Sequence, residues 1–141
     1  MKKILLPLVF TTMLVIFFSC ENKHNCNGQL DGNWQLIAWT RNANDSLVAT
    51  NHTKSIYYVI NLQLIKIWDT KETPNYLCSF IKRNDSIILK KVYSSPFDEE
   101  KAFSDMSKYG VSDDGAFKII KNDASKLILR NSINTLTFRK Y

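Results

Sequence analysis

The segment SIYYVINLQLIKIWDT, residues 55–70, limits the fold more than any other part of the sequence. Its even-numbered positions carry apolar side chains as far as Leu64, and the apolar side then moves to the odd positions Ile65 and Ile67. Because strand side chains alternate between two faces, this change of parity indicates a bulge, a sharp bend or a break between two strands. Strongly bent strands are what a small closed barrel requires.

Short β-like segments separated by polar turns make up most of the chain after Leu30. Besides residues 55–70, we predict strands at 31–40, 75–82, 86–93, 116–121, 125–130 and 134–141. Turns as short as Arg83-Asn84-Asp85 favour antiparallel hairpins over crossovers. The sequence therefore predicts an all-β fold of seven strands, or eight if the long segment splits.

The segment SSPFDEEKAFSDMSKYG interrupts this β pattern. Ser95 is a suitable N-cap, Pro96 suits the first helical position, and Gly110 suits the position after the last turn. Phe103 and Met106 belong to a set of apolar residues at roughly helical spacing. We predict one short helix at about residues 96–109, which covers either a barrel mouth or a sheet edge.

The first twenty residues, MKKILLPLVFTTMLVIFFSC, combine two lysines with an apolar stretch from Ile4 to Phe18. This stretch of 15 residues is shorter than the roughly 20 that a membrane-spanning helix needs. We interpret it as a secretory signal, followed by a polar tether without apolar periodicity. The predicted division is a signal peptide at 1–19, a tether at 20–29 and one domain at 30–141.

The end of the signal, Ser19-Cys20 followed by ENKHN, resembles the lipobox of bacterial lipoproteins. The resemblance implies cleavage before Cys20, a diacylated sulfur and a further acyl chain such as palmitate on the new N-terminus. Phe17 and Phe18 depart from the usual lipobox residues, and the alternative is an ordinary signal peptide cut elsewhere. The resemblance implies a lipid-anchored protein of the cell envelope in the outer membrane. A periplasm-facing position is favoured over the cell surface, because Glu21 is not followed by further acidic residues.

The first predicted strand opens with Gly32-Asn33-Trp34, a G-x-W pattern similar to the N-terminal signature of lipocalins. Together with the lipoprotein signal and the final residues LTFRKY, it resembles small lipocalin-like lipoproteins of Gram-negative bacteria. The resemblance implies an antiparallel up-and-down barrel. It also implies that Trp34 closes the barrel base beneath a cationic side chain, Arg139 or, as second choice, Arg130.

The same resemblance implies a function in binding rather than catalysis. We expect a small apolar or amphipathic ligand inside the barrel, lined by Tyr58, Ile60 and Leu62. The alternative is a barrel filled by its own side chains, which acts as a structural or protein-interaction module of the envelope. That alternative predicts an exposed aromatic patch that includes Trp39 or Trp68.

Two further pairs of residues are candidate modification sites. Once Cys20 is lipidated, Cys26 and Cys78 remain, either as a disulfide of an exported protein or as two free thiols. Ser46 and Ser86 each follow an aspartate and precede an apolar residue. This pattern resembles an O-glycosylation acceptor of some bacteria, although Asp-Ser is also common in turns.

Charge and motif content speak against other classes of function. The residues from Cys20 onward carry 17 basic and 13 acidic side chains, spread along the chain, whereas nucleic-acid binding favours a concentrated basic patch. Neither His24 nor His52 has a second ligand at metal spacing, and no nucleophile elbow or phosphate-binding loop occurs. We expect no enzyme activity, no cofactor, no metal and no nucleic-acid partner.

Overall fold

The computed structural model describes residues 27–48, 53–95 and 99–141. Within these residues, nine antiparallel strands form a single sheet. Their bounds are β1 Gly32–Arg41, β2 Ile56–Asn61, β3 Leu64–Asp69, β4 Glu72–Arg83, β5 Ser86–Ser95, β6 Glu99–Glu100, β7 Ala116–Asn122, β8 Lys126–Arg130 and β9 Asn134–Lys140. Three 3₁₀ segments accompany them: η1 Gly28–Leu30, η2 Thr53–Ser55 and η3 Phe103–Tyr109. In this part of the chain no helix has both the length and the apolar character that crossing a membrane requires.

The strands close into an up-and-down barrel. From β1 to β5, each strand of the ring pairs with the one before it. The ring then continues from β5 to β7, β8 and β9, and β9 pairs with β1. The two-residue strand β6 adds to the far end of β5, opposite Tyr93 and Ser94. Eight strands therefore form the ring, as predicted if the long segment splits, and the predicted all-β class is confirmed.

The parity change in residues 55–70 is a break between two strands. β2 ends at Asn61, β3 begins at Leu64, and Asn61 and Leu64 are paired across the hairpin. A two-residue hairpin turn of this kind places its first residue in the left-handed region, and Leu62 has φ 55°. This conformation costs a residue with a side chain about 1–2 kcal/mol. Leu62 is also 49% exposed, so the expectation that it lines the interior is wrong.

The predicted helix at about 96–109 is shorter than expected at its N-terminal side. Glu99 and Glu100 form β6, which pairs with β5, and residues 96–98 lie outside the described part of the chain. The helical segment η3 starts instead after Ala102, whose backbone N–H donates to the Asp105 carboxylate at 3.1 Å. Its end is as predicted, because Gly110 follows with φ 89°.

The barrel interior is filled by one cluster of apolar side chains. Among the described residues, the buried apolar residues of this cluster lie between Leu30 and Phe138. We call the end with the turns at residues 62–63, 84–85 and 123–125 the base, and the opposite end the helix end. The segment η1 lies at the base, and η3 covers the helix end.

Candidate functional site

The helix end is where η3 enters the barrel. Met106 and Tyr109 are 0% and 1% exposed and point into the interior. The Met106 Sδ atom lies 3.7 Å from the Cys78 Sγ atom of β4, and the ring of Tyr109 lies 5.5 Å from that of Tyr76. The Tyr58 hydroxyl donates to the backbone carbonyl of Tyr109 at 2.8 Å. The segment therefore covers a barrel mouth, one of the two positions left open by the sequence.

A polar cluster ties the C-terminal end of η3 to the β8–β9 turn. The side-chain amide of Asn131 donates to the Gly110 carbonyl at 2.7 Å, and that of Asn134 donates to the same oxygen at 3.4 Å. The Trp39 indole N–H in turn donates to the Asn134 side-chain oxygen at 2.8 Å. Sequence reasoning found only a turn at Asn131, because the partners are 21 or more residues apart and leave no local pattern.

One polar atom in this region has no partner. The Tyr109 hydroxyl is buried and makes no hydrogen bond of standard geometry among the described residues, although the neighbouring Lys108 ammonium favours its ionised form. Burial also raises the pKa of this phenol. A buried polar group without a partner costs about 1–3 kcal/mol. The packing of η3 into the mouth is therefore less favourable than its apolar contacts alone suggest.

The interior beneath η3 is lined mainly by apolar side chains, with the buried carboxylate of Asp69 opposite Ile56 at the helix end. The Tyr58 ring lies 4.8 Å from that of Phe138 and 6.5 Å from that of Phe117. Burial, with a smaller contribution from Cys78, raises the pKa of Tyr58, and burial raises that of Cys78 to about 12. Both groups therefore stay neutral at physiological pH. Of the predicted ligand-lining residues, Tyr58 and Ile60 face this interior and Leu62 does not.

A groove of about 310 Å³ lies beside η3 at the rim of the helix end. Ser107 and Lys108 form its η3 side, while Trp39 and Ile133 are among the residues on its other side. Within the described residues, no group of three or more His, Cys, Asp and Glu residues is arranged to hold a metal ion.

Trp34 lies at the base, fully buried, with its indole N–H donating to the Leu30 carbonyl at 2.8 Å. The cation over its ring is Lys140, with Nζ 4.4 Å from the ring centroid, so the prediction of Arg139 is wrong. In the β1–β9 register Trp34 is opposite Lys140, whereas Arg139 is opposite Gln35 and on the other face. Arg139 donates to the Gln35 side chain at 2.7 Å, and the second choice, Arg130, donates to Thr135 at 3.0 Å.

The two aromatic residues of the alternative interpretation differ in position. Trp39 is 5% exposed, so its predicted place in a surface patch is wrong. Trp68 is half-buried on the outer face, where its ring stacks on that of Tyr57 at 5.0 Å. Tyr141 adds an edge contact to Tyr57 at 5.3 Å.

The candidate modification sites are only partly described. Cys78 is a buried free thiol, while Cys20 and Cys26 lie outside the described residues. Ser46 is exposed in the turn after β1, where its N–H donates to Asn44. Ser86 is half-buried and opens β5 directly after the Asn84-Asp85 turn.

Comparison with known proteins connects this geometry to a family. The sequence model of the lipocalin-like domain matches residues 13–141. The chain belongs to the lipocalin-like domain family. A lipocalin-like protein from Bacteroides uniformis ATCC 8492 is similar in structure, with TM-score 0.60 and 18% identity over 81% of this chain and 100% of that one. An uncharacterized protein from Bacteroides eggerthii DSM 20697 has TM-score 0.54 and 18% identity over 79% and 98% of the two chains. No curated protein matches this lipocalin-like chain significantly.

Proposed function

We propose that this lipocalin-like protein is a lipid-anchored component of the bacterial envelope that binds one small apolar or amphipathic ligand at the helix end of its barrel. The observation that carries the proposal is the insertion of Met106 and Tyr109 into the mouth. An eight-stranded barrel has room either for packed side chains or for one small ligand. Here two side chains of a short segment outside the ring occupy that room.

Ligand entry in this proposal requires displacement of η3. Burial of each large side chain contributes about 1.5–3 kcal/mol, so the closed form dominates without ligand. The apparent affinity is reduced by the small fraction of open molecules. Met106 is suited to such a role because an unbranched thioether repacks readily around different shapes. The unpartnered Tyr109 hydroxyl lowers the cost of opening, because water or a ligand would satisfy it.

The chemistry of the interior supports an uncharged ligand. Tyr58 and Cys78 remain neutral, and most of the surrounding side chains are apolar. The buried carboxylate of Asp69 at the helix end accepts a hydrogen bond from the Lys71 N–H at 2.9 Å. Opening of η3 would free the Tyr58 hydroxyl, which now donates to Tyr109, for one hydrogen bond to an amphipathic ligand. Neutral groups held far from ionisation support binding rather than acid–base catalysis.

The proposed anchor is the lipid on Cys20, in the outer membrane and facing the periplasm. The support is the pattern of signal, Ser19-Cys20 and polar tether. Three acyl chains exceed the two signals that stable anchoring needs. An anchored barrel would stay close to a bilayer, into which apolar ligands partition.

A pair of variants tests the ligand proposal. Native mass spectrometry of the protein from its own host should detect a co-purifying small molecule. With an apolar fluorescent probe, Asn131→Ala should bind more tightly than wild type, because it loosens η3 from the β8–β9 turn. Ser132→Ala, an exposed change in the same turn, is the matched control and should leave binding unchanged. A clean apo mass together with equal probe affinity of all three proteins would overturn the proposal.

A second candidate is the filled-barrel interaction module. The stacked rings of Tyr57 and Trp68 on the outer face, with Tyr141 beside them, favour it. It predicts that a specific envelope protein is captured by wild type and not by Trp68→Ala. In that case, native mass spectrometry of the protein from its own host should detect no bound small molecule.

A further inference from the structure

The base of the barrel gathers most of the large apolar side chains that are exposed in the described residues. Hydrogen bonds of Phe80 N–H to the Gln63 carbonyl and of Ile119 N–H to the Asp85 carbonyl join the turns at 62–63 and 84–85 to the next strand round the base. Tyr141 N–H similarly donates to the Asn33 carbonyl at 2.8 Å. The exposed apolar residues of the base are Leu62, Leu64, Ile81, Ile120 and Tyr141.

Leu62 is the most unusual of them. It lies at the tip of the β2–β3 hairpin, 49% exposed, with a left-handed backbone that asparagine or glycine adopts more easily. A bulky apolar residue at such a position neither stabilises the turn nor packs in the core. A local departure of this kind is a reason to look for a function.

Basic side chains surround these apolar residues although they are scattered in the sequence. The base carries Lys82, Arg83, Lys121, Lys126, Arg139 and Lys140, all exposed. Carboxylates at this end are engaged locally: Asp31 accepts from Asn27, Asp85 pairs with Lys118 at 3.6 Å, and Asp123 pairs with Lys121 at 3.2 Å. Among the described residues, no salt bridge joins Lys82, Arg83 or Lys126 to a carboxylate.

The helix end has no such excess of cations. Its cations Arg41, Lys54, Lys71, Lys101, Lys108 and Arg130 face a slightly larger number of carboxylates, and Lys101 and Lys108 pair with Glu99 and Glu72. The carboxylates described there are Asp45, Asp69, Glu72, Glu99, Glu100, Asp105, Asp113 and Asp114. The barrel is therefore polarised, with its positive potential at the base.

The chain also enters the barrel at the base. The Asn27 side-chain amide donates to the Leu62 carbonyl at 2.5 Å, so the first described residue lies against the exposed hairpin tip. Only residues 20–26 separate Asn27 from the proposed lipid, and seven residues reach at most about 25 Å when fully extended. An anchor of that length holds the base, rather than the helix end, next to the membrane.

We propose that the base is a membrane-docking surface, in which Leu62, Ile81 and Ile120 enter the headgroup region of an anionic bilayer. Lys82, Arg83 and Lys126 contact lipid phosphates around them. Apolar side chains ringed by cations are the usual composition of such interfacial surfaces, and the lipid keeps the surface within reach. This inference rests on the proposed anchor for its orientation, and it directs the mouth covered by η3 away from the bilayer.

The test uses the chain from Glu21 to Tyr141, which lacks the lipid but keeps every core residue of the described part of the chain. It is mixed with vesicles of pure phosphatidylcholine and with vesicles containing phosphatidylglycerol, and bound protein is measured by flotation. Wild type should bind the anionic vesicles at least about tenfold better and should be released by salt. Lys82→Gln with Arg83→Gln should lower binding about tenfold, whereas Lys54→Gln with Lys101→Gln at the helix end should leave it unchanged.

Leu62→Asn tests the apolar contact separately. Asparagine suits the left-handed turn, so the variant should fold at least as well as wild type while binding anionic vesicles several-fold less. Equal binding of wild type to both vesicle types would overturn the docking surface. So would an equal loss of vesicle binding in the double variant at the base and the double variant at the helix end. Mass spectrometry of the full chain made in a lipoprotein-processing host reports separately whether Cys20 carries lipid.

Discussion

Lys140 lies over the face of Trp34, with its Nζ atom 4.4 Å from the ring centroid and 2.5 Å from the Asp31 carbonyl. This contact joins the last strand to the first at the base of the barrel. Its side chain also passes over Gly32, where a Cβ atom would come within 2.5 Å of the lysine. Glycine at this position therefore gives the lysine room to reach the indole.

Replacement of Lys140 by methionine should destabilise the barrel by about 1–2 kcal/mol, because the cation–π contact and the bond to Asp31 are lost. Arg139→Met is the matched change on the opposite face and should cost less, since it loses a half-exposed bond to Gln35. Urea unfolding of both variants measures the difference. If Arg139→Met proved the more damaging change, the closure of the base by Lys140 would be refuted.

Gly110 should be difficult to replace. Its φ of 89° disfavours any side chain, and a Cβ atom would lie 2.6 Å from Leu136 Cδ2. Gly110→Ala should therefore lower the free energy of unfolding by about 2–5 kcal/mol. Gly28→Ala is the control, because Gly28 has φ 63° with nothing within 4 Å. It should cost only about 1–2 kcal/mol, and equal losses would contradict the close approach of Gly110 to β9.

The identity of the cation at the base could have been predicted from the sequence. Leu136 and Phe138 mark the even positions of the last strand as inward, and the same parity brings Lys140 to Trp34. The resemblance to lipocalins favours Arg139, whereas this alternation favours Lys140. A family expectation was therefore less informative here than the period of the strand itself.

Other features could not be predicted locally. The split of residues 55–70 was one of three alternatives, because Leu62 is apolar and hides a turn that Asn-Gly would have marked. Ser95 and Pro96 suggest a helix that begins at once, but Glu99 and Glu100 form β6 and pair with β5 instead. The start of η3 therefore depends on a contact that the local sequence does not show. The clustering of cations at the base depends on which turns the closed barrel brings together. These are properties of the tertiary structure.

Stability should fall at alkaline pH because of Cys78. Burial raises the pKa of this thiol from 9.0 to about 12, so between those values the unfolded chain loses a proton that the folded chain keeps. The contribution is fully present below pH 9 and declines by about 1.4 kcal/mol per pH unit above it. Urea unfolding of wild type and Cys78→Ala from pH 8 upward measures the effect. Cys78→Ala should show the weaker dependence, with a remainder from buried Tyr58, and identical slopes would argue against a buried neutral thiol.

The two tyrosines at the mouth should respond in opposite directions to loss of a hydroxyl. Tyr58→Phe removes the donor to the Tyr109 carbonyl and leaves that oxygen buried, which should destabilise the barrel by about 1–3 kcal/mol. Tyr109→Phe removes a hydroxyl that is buried without a partner, so its effect should be neutral or stabilising by a similar amount.

The same pair separates the two states proposed for η3. Because Tyr109→Phe favours the closed form, it should also weaken binding of an apolar probe in proportion to the stability gained. Tyr58→Phe loosens the contact between the barrel wall and η3, and amide hydrogen exchange in residues 103–110 should become faster. Destabilisation of Tyr109→Phe to the same degree as Tyr58→Phe would mean that the Tyr109 hydroxyl has a hydrogen-bond partner after all, and that η3 is a fixed part of the core.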